Sequence, residues 1–316
     1  MINSSTSRAD IIRWLLEGDV SIQYQVFRDL LGEEHTDLRQ RISSEGWGDA
    51  LLSKRGVNGH WGLSFYQPKW ISSHYTLLDL RYLEVEPTPE IMESINMIFR
   101  DEKGEDGGIN PSGTIKESDL CINGMALNYG CFFGIDEKFL HSVVDFTLSQ
   151  KMPDGGFNCM KNRSGAIHSS LHTTISAAEG ICEYRRRGYT YRLREMTAAE
   201  YGCREFILTH RLFKSDKTGK IIKESFTKLV WPARWYYDIL RALEYFRYSG
   251  SPYDDRMSDA LYVLAGKRRK DGLWPNQAAH PGQVHMSMEP AGKAGRWNTL
   301  RAMRVLETFG FTDYNL

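Results

Sequence analysis

The chain has 316 residues, 41% hydrophobic and 25% charged, which is the composition of a soluble globular protein. Lys+Arg and Asp+Glu balance at 40 each, which argues against a general binder of nucleic-acid phosphates. Five scattered cysteines suit reduced thiols in a cytoplasm better than a disulfide framework; the polar stretch from Met1 to Asp10 leads us to expect no signal peptide, and no run of 18 apolar residues is found that would suggest a membrane span.

In chain order the elements read as helices. Ser7 to Asp10 has the pattern of a capping box, and Ile11, Ile12, Leu15 and Leu16 form one apolar stripe behind it. Gly18 and Asp19 break that helix, and a second one is expected over 20–31. An outer helix over 37–54 and a partner over 70–83 follow. Thr88 and Pro89 open a third outer helix, with Thr as N-cap and Pro in the first turn. Its partner is expected from about 118 to 134. The fourth pair is 138–151 and 168–187. Thr197 to Glu200 is read as the cap of a fifth outer helix, partnered by 235–248. Ser251 to Asp254 caps a sixth, partnered by 296–309.

Three loops between these helices share one shape: Gly59-His60-Trp61-Gly62, Asp154-Gly155-Gly156-Phe157 and Asp271-Gly272-Leu273-Trp274. Asp106-Gly107-Gly108-Ile109 is a weaker fourth copy. Recurrence of this kind means one helix–loop–helix unit used several times. The reading is therefore an all-α fold, a single domain over 1–316. It is an α/α toroid of about six helix pairs, inner helices within outer ones, with the long loops gathered at one rim.

Phe146, Gln150, Gly155 and Phe157 resemble the repeat of triterpene cyclases, with Phe157 in the place of a Trp. The chain is thus similar to the α/α toroid superfamily that includes squalene and hopene cyclases and the β subunits of protein prenyltransferases. That resemblance implies a central cavity with an aromatic wall. The acidic motif with which cyclases protonate substrate has no counterpart here, which argues against squalene cyclisation. The prenyltransferase resemblance is closer. Gly107-Gly108-Ile109 precedes Lys116-Glu117-Ser118-Asp119-Leu120-Cys121, and His172-Thr173 stands where the family has a His-Thr. By that match Asp119, Cys121 and His172 are the implied zinc ligands and catalytic residues. Gly113 and Ile122 replace the family's diphosphate-binding Arg and Tyr. The family also works with a separate helical subunit, which makes such a partner an expectation.

A carboxylate, a thiolate and an imidazole are three donors of the kind a catalytic zinc takes, with one place left open. His168 or Cys159 is a candidate fourth ligand or supporting group. The same residues have plainer readings: Asp119 as a helix cap, Cys121 as a small core hydrophobe, His172 bonded to the backbone. Trp61, Trp70, His74, Phe157, Trp235, Trp274 and Trp297 are candidate wall residues for a small apolar or isoprenoid-like ligand, with core packing as the alternative. Lys116 and Arg296 are candidates to meet an anionic group. Two rival functions stay open: a polysaccharide-processing toroid using Asp154, Asp271 or Glu289, and a non-enzymatic lipid or peptide carrier.

Overall fold

A computed structural model describes residues 6–311. Its regular elements are helical, and only isolated β-bridges occur among the described residues. The α-helices are α1 (Arg8–Leu16), α2 (Val20–Val26), α3 (Thr36–Arg41), α4 (Gly46–Leu52), α5 (Ser73–Tyr82), α6 (Pro89–Asp101) and α7 (Leu120–Phe133). They continue as α8 (His141–Ser149), α9 (Lys161–Ser164), α10 (Leu171–Arg186), α11 (Leu193–Thr209), α12 (Ile239–Tyr248), α13 (Ser258–Gly266) and α14 (Arg296–Thr308). A π-helical turn, Phe27–Leu31, extends α2. None of these helices is long and apolar enough to cross a membrane.

Local chemistry accounts for most helix starts. Ser7 and Asp10 close a reciprocal capping box on α1. Thr88 accepts the Ile91 amide at 3.3 Å while Pro89 occupies the first turn of α6. Three boundaries differ from the sequence reading. The helix expected over 37–54 is split, because Gly46 adopts a left-handed φ of 63° and the Asp19 carboxylate then caps α4 by accepting the Trp47 amide at 2.8 Å. Thr197 is no cap: α11 begins earlier, and the Thr197 hydroxyl bonds back to the Leu193 carbonyl at 2.8 Å inside the helix. The helix expected over 235–248 begins at Ile239, where Asp238 accepts the Arg241 amide at 2.8 Å.

Two kinds of helix result. α6 buries one stripe, Ile91, Ile95, Ile98 and Phe99, and leaves its other face wet. α7 is buried all round except at Cys121. α10 packs on α7, α11 and α12; α7 packs on α5, α12 on α14, and α14 on α2. The Gln25 side chain ties α2 to the end of α5 by donating to the Tyr82 carbonyl at 2.9 Å. Arg8 and Glu307 join α1 to α14 at 2.8 Å.

The repeated loops are one structural corner. Gly59, Gly107, Gly155 and Gly272 all take φ between 80° and 93°. Two residues later, a backbone amide donates to the next helix: Trp61 to Ser73 Oγ (3.0 Å), Ile109 to Asn123 Oδ1 (2.6 Å), Phe157 to Thr174 Oγ1 (3.0 Å) and Trp274 to Thr299 Oγ1 (3.0 Å).

The buried helices also carry charge. Arg81 reaches Glu183 at 2.8 Å and Arg241 reaches Glu179 at 2.6 Å. Arg304 pairs with Asp29 at 2.7 Å and also with Glu244. α7 and α10 approach backbone to backbone at two glycines. A Cβ at Gly124 would stand 2.5 Å from the Ser176 carbonyl oxygen, and one at Gly180 would stand 2.3 Å from the Gly124 carbonyl oxygen. Gly124→Ala therefore forces two backbones apart. It is expected to cost about 1–3 kcal/mol, read as a lowered midpoint in thermal or urea unfolding. An unchanged midpoint would show that α7 and α10 do not touch in this way.

Candidate functional site

The starts of α5, α7, α10 and α12 and the long loops before them meet at one end. Trp70 Nε1 donates to the Pro281 carbonyl at 2.6 Å, and Thr76 Oγ1 lies 3.0 Å from His285 Nε2. The His280 ring stacks on Tyr236 at 3.9 Å. The segment holding His280 and His285 thus lies over the starts of α5 and α12, and burial pushes both imidazoles down to about 4, so they are neutral near pH 7.

A pair of thiols sits at the starts of α7 and α10. Cys159 Sγ accepts the Cys121 amide, in the first turn of α7, at 3.1 Å. It also accepts the Thr173 hydroxyl, in the first turn of α10, at 3.5 Å. The Cys121 thiol bonds to it as well, and this bond first, with Thr173 and the Cys121 amide helping, holds the Cys159 thiol below its ordinary value against the effect of burial. Cys121, as the donor and then through burial, is pushed well up. The lower-pKa thiol therefore lies at two helix N-termini, where partial positive charge favours the thiolate. Asp119, the N-cap residue of α7, is close enough for its charge to act on both thiols, on Tyr66 and on Lys69. Lys69 lies over the rings of Trp70 (4.8 Å) and Trp235 (5.3 Å). The Tyr66 and Tyr75 hydroxyls are 3.2 Å apart.

His172 faces a different way. Its Nδ1 accepts the Tyr237 amide at 2.9 Å, and its ring lies 5.2 Å from those of Phe226 and Trp235. Burial first, then Lys223 and Arg241, bring its pKa down to about 4. A neutral imidazole that accepts at Nδ1 carries its proton on Nε2, so neither nitrogen keeps a lone pair for a cation. His172 instead separates two neighbouring clefts of about 420 and 390 Å³. One runs along Phe206, His210 and Phe226, the other along Trp235, Tyr236, Lys228 and His280. Among the described residues no group of three or more His, Cys, Asp or Glu side chains is gathered to hold a metal ion. Asp119 and Cys121 come together with Cys159, while His172 does not join them. The zinc set implied by the resemblance does not fit the residues as they stand.

The other candidates separate into pins and wall. Trp61 and Trp274 are fully buried, and their indoles donate to the Leu51 (2.7 Å) and Leu264 (2.8 Å) carbonyls at the ends of α4 and α13. With Phe157 they anchor the repeated corners. Arg296 donates to the Trp14 carbonyl at 3.0 Å and lies over the Trp14 ring, holding α1 to α14. Lys116 is exposed. His74 is wholly buried among Phe65, Tyr66, Tyr75 and Tyr129. Trp70 and Trp235 do flank the loop end. Trp297 lies deeper, against Trp231 at 4.6 Å in the middle of the fold. In sequence Cys159 is legible as a fourth ligand or a supporting group; its signal is its place two residues beyond a repeated Gly-Gly-aromatic corner.

No family model matches the chain, and no curated protein matches it.

Glu289 marks the covering segment chemically. It accepts the Trp297 amide at 2.9 Å at the start of α14, and burial raises its pKa to about 7. A carboxyl that holds its proton in the fold stabilises the fold below its unfolded pKa of about 4.5, and this contribution is lost as pH rises through about 7. Thermal midpoints are expected to fall across that window in the native chain and to stay flatter in Glu289→Gln, which keeps an acceptor for the Trp297 amide. Parallel pH profiles would contradict this placement.

Proposed function

We propose that this chain is an α/α toroid akin to terpenoid cyclases and protein prenyltransferases, and that it is an enzyme whose reactive group is the Cys159 thiolate. The toroid reading is supported by the circuit of contacts through α2, α14, α12, α10, α7 and α5, closed by the Gln25 bond to the end of α5. It is supported also by the four repeated corners and by the resemblance in their sequences.

One observation carries the chemistry: Cys159 Sγ accepts hydrogen bonds from the first turns of two buried helices. Donors so placed favour the thiolate, which is the nucleophilic form of the sulfur. The Cys121 thiol beside it supports the thiolate by donating a hydrogen bond, and Lys69 is a cation for the negative charge of a departing thiolate or diphosphate. Trp70, Tyr75, Trp235 and Tyr236 offer ring faces to an apolar or unsaturated substrate, and the 275–294 segment keeps water from it. The reading is a transferase or isomerase acting on an apolar electrophile, with no step through zinc. Acidic oligosaccharides are the second reading, favoured by Lys223 and Lys228 beside Trp235 and Tyr236 in the clefts around His172.

The test is covalent capture. The folded protein is exposed to a small alkylating reagent and, separately, to activated apolar electrophiles such as thioesters and allylic diphosphates, and adducts are mapped by mass spectrometry. Cys159 is expected to react first and at a lower pH than the other four thiols. Cys121→Ala is expected to slow it by about tenfold at neutral pH through loss of one donor. Labelling of Cys159 only after unfolding, or full turnover of an identified substrate by Cys159→Ser, would remove the proposal.

A further inference from the structure

The interior far from the loop end is polar. A cavity of about 70 Å³ lies where α2, α5, α7, α10, α12 and α14 converge. It adjoins a wider cleft of about 570 Å³, with which it shares Arg28, Glu84, Arg247 and Tyr248. The wider cleft is bounded by Arg186 and Arg187 at the end of α10 and by Gly250 just past α12, so it opens at the ends of the helices whose starts build the thiol site.

Charge and hydrogen bonding in this space are both out of balance, and in the same direction. Five arginines and two carboxylates line the cleft, and six arginines and three carboxylates line the cavity, in a chain whose formal charge is zero. Carboxylates behind the wall answer part of this surplus: Glu183 through Arg81 and Arg187, Asp238 through Arg301 and Arg241, and Glu86 through Arg39. Arg247 shows what is left: burial and then the neighbouring Arg304 guanidinium hold it below the ordinary arginine value, despite Glu244 and Asp29. Four polar atoms of cavity-lining side chains are buried without a hydrogen-bond partner: Arg81 Nε, Trp231 Nε1, Trp297 Nε1 and Asn128 Oδ1. Their residues are 9%, 5%, 1% and 3% exposed. Three of the four atoms can only donate.

Buried donors without partners are costly, and a surplus of buried cations more so. Water can enter a cavity of this size and accept from the indoles, but it leaves the charge surplus unanswered. A carboxylate brings one negative charge, whereas a phosphate monoester brings close to two and three acceptor oxygens suited to guanidinium forks. We propose that the central cavity and its arginine-lined mouth bind the phosphate group of a small organic phosphate. The phosphate sits against Arg81, Trp231 and Trp297, and the organic part lies in the mouth beside Tyr24 and Tyr248. This site is separate from the thiol pair and does not depend on the chemistry proposed there.

The experiment titrates the full chain with inorganic phosphate and with glycerol phosphate at constant ionic strength, with acetate as the control. The readouts are calorimetry, tryptophan fluorescence and thermal midpoint. Both phosphates are expected to bind saturably, with the ester at least as tight, to quench tryptophan emission and to raise the midpoint, and acetate to do none of these. Trp297→Phe keeps the ring and deletes one donor, and is expected to weaken phosphate by about tenfold. Asn128→Asp adds a negative charge to the wall and is expected to weaken it by about a hundredfold or more. If Asn128→Asp does not fold, Trp297→Phe decides alone. Binding of inorganic phosphate but not the ester places the ion elsewhere and overturns the proposal. So does an absence of saturable binding, or affinity unchanged in the variants.

Discussion

Arginines that face inward on buried helices must meet carboxylates from other helices, and this requirement sets the relation of the parts. Arg81 on α5 is answered by Glu183 on α10, Arg241 on α12 by Glu179 on α10, and Arg304 on α14 by Glu244 on α12 and Asp29 beyond α2. A charge in such surroundings is tolerable only with its partner present, and losing one partner typically costs about 3–5 kcal/mol. The apolar core fills the space between helix layers and packs the uncharged α7 against α5 and α10, and the pairs tie α5, α12 and α14 to helices beyond that contact. They also leave little of the greasy interior that an isoprenoid-filled cavity would need, so aromatic surface is found at the loop end and charge in the middle.

The two ends of the helices therefore have different chemistry. At their starts, the Cys121 amide and the Thr173 hydroxyl point at Cys159, and the rings of Trp70 and Trp235 flank Lys69. At their ends, guanidinium groups crowd a narrow opening. Both follow from helix polarity: a start offers unpaired N–H groups to an anion such as a thiolate, and an end offers carbonyls to cations. Parallel buried helices add these effects, because each contributes its start to the same place.

Much of this was readable before any coordinates. The apolar stripes, Ser7, and Thr88 with Pro89 marked helix starts that the structure has, and the repeated Gly-Gly-aromatic segments marked one recurring corner. Boundaries failed for two reasons: Asp19 reaches across from a distant segment to cap α4, and Thr197 bonds within its own helix, where a capping residue and an interior one look alike. The site was less legible. Asp119 and Cys121 do lie together, but the orientation of His172 is set by the amide of Tyr237, 65 residues away in sequence, and no spacing rule announces that bond. Wall and core packing stay undivided in sequence, because Trp61, Phe157 and Trp274 look the same whether they face a ligand or pin a corner. Arg241 and Arg247 of α12 and Arg301 and Arg304 of α14 are unmarked in sequence for a similar reason. Arg241, Glu244 and Arg247 recur at helical spacing and resemble a solvent face, and only burial reveals that they point inward.

The bond between Arg81 and Glu183 has an evolutionary consequence. It joins α5 to α10 past the intervening α7, so it spans more than one repeat. In an open array each unit meets only its neighbours, and copies are gained or lost with little penalty. Here an extra or missing unit would strand buried charges on both sides of the change. Lineages of this protein should therefore vary in loop length and surface while keeping their number of repeats fixed.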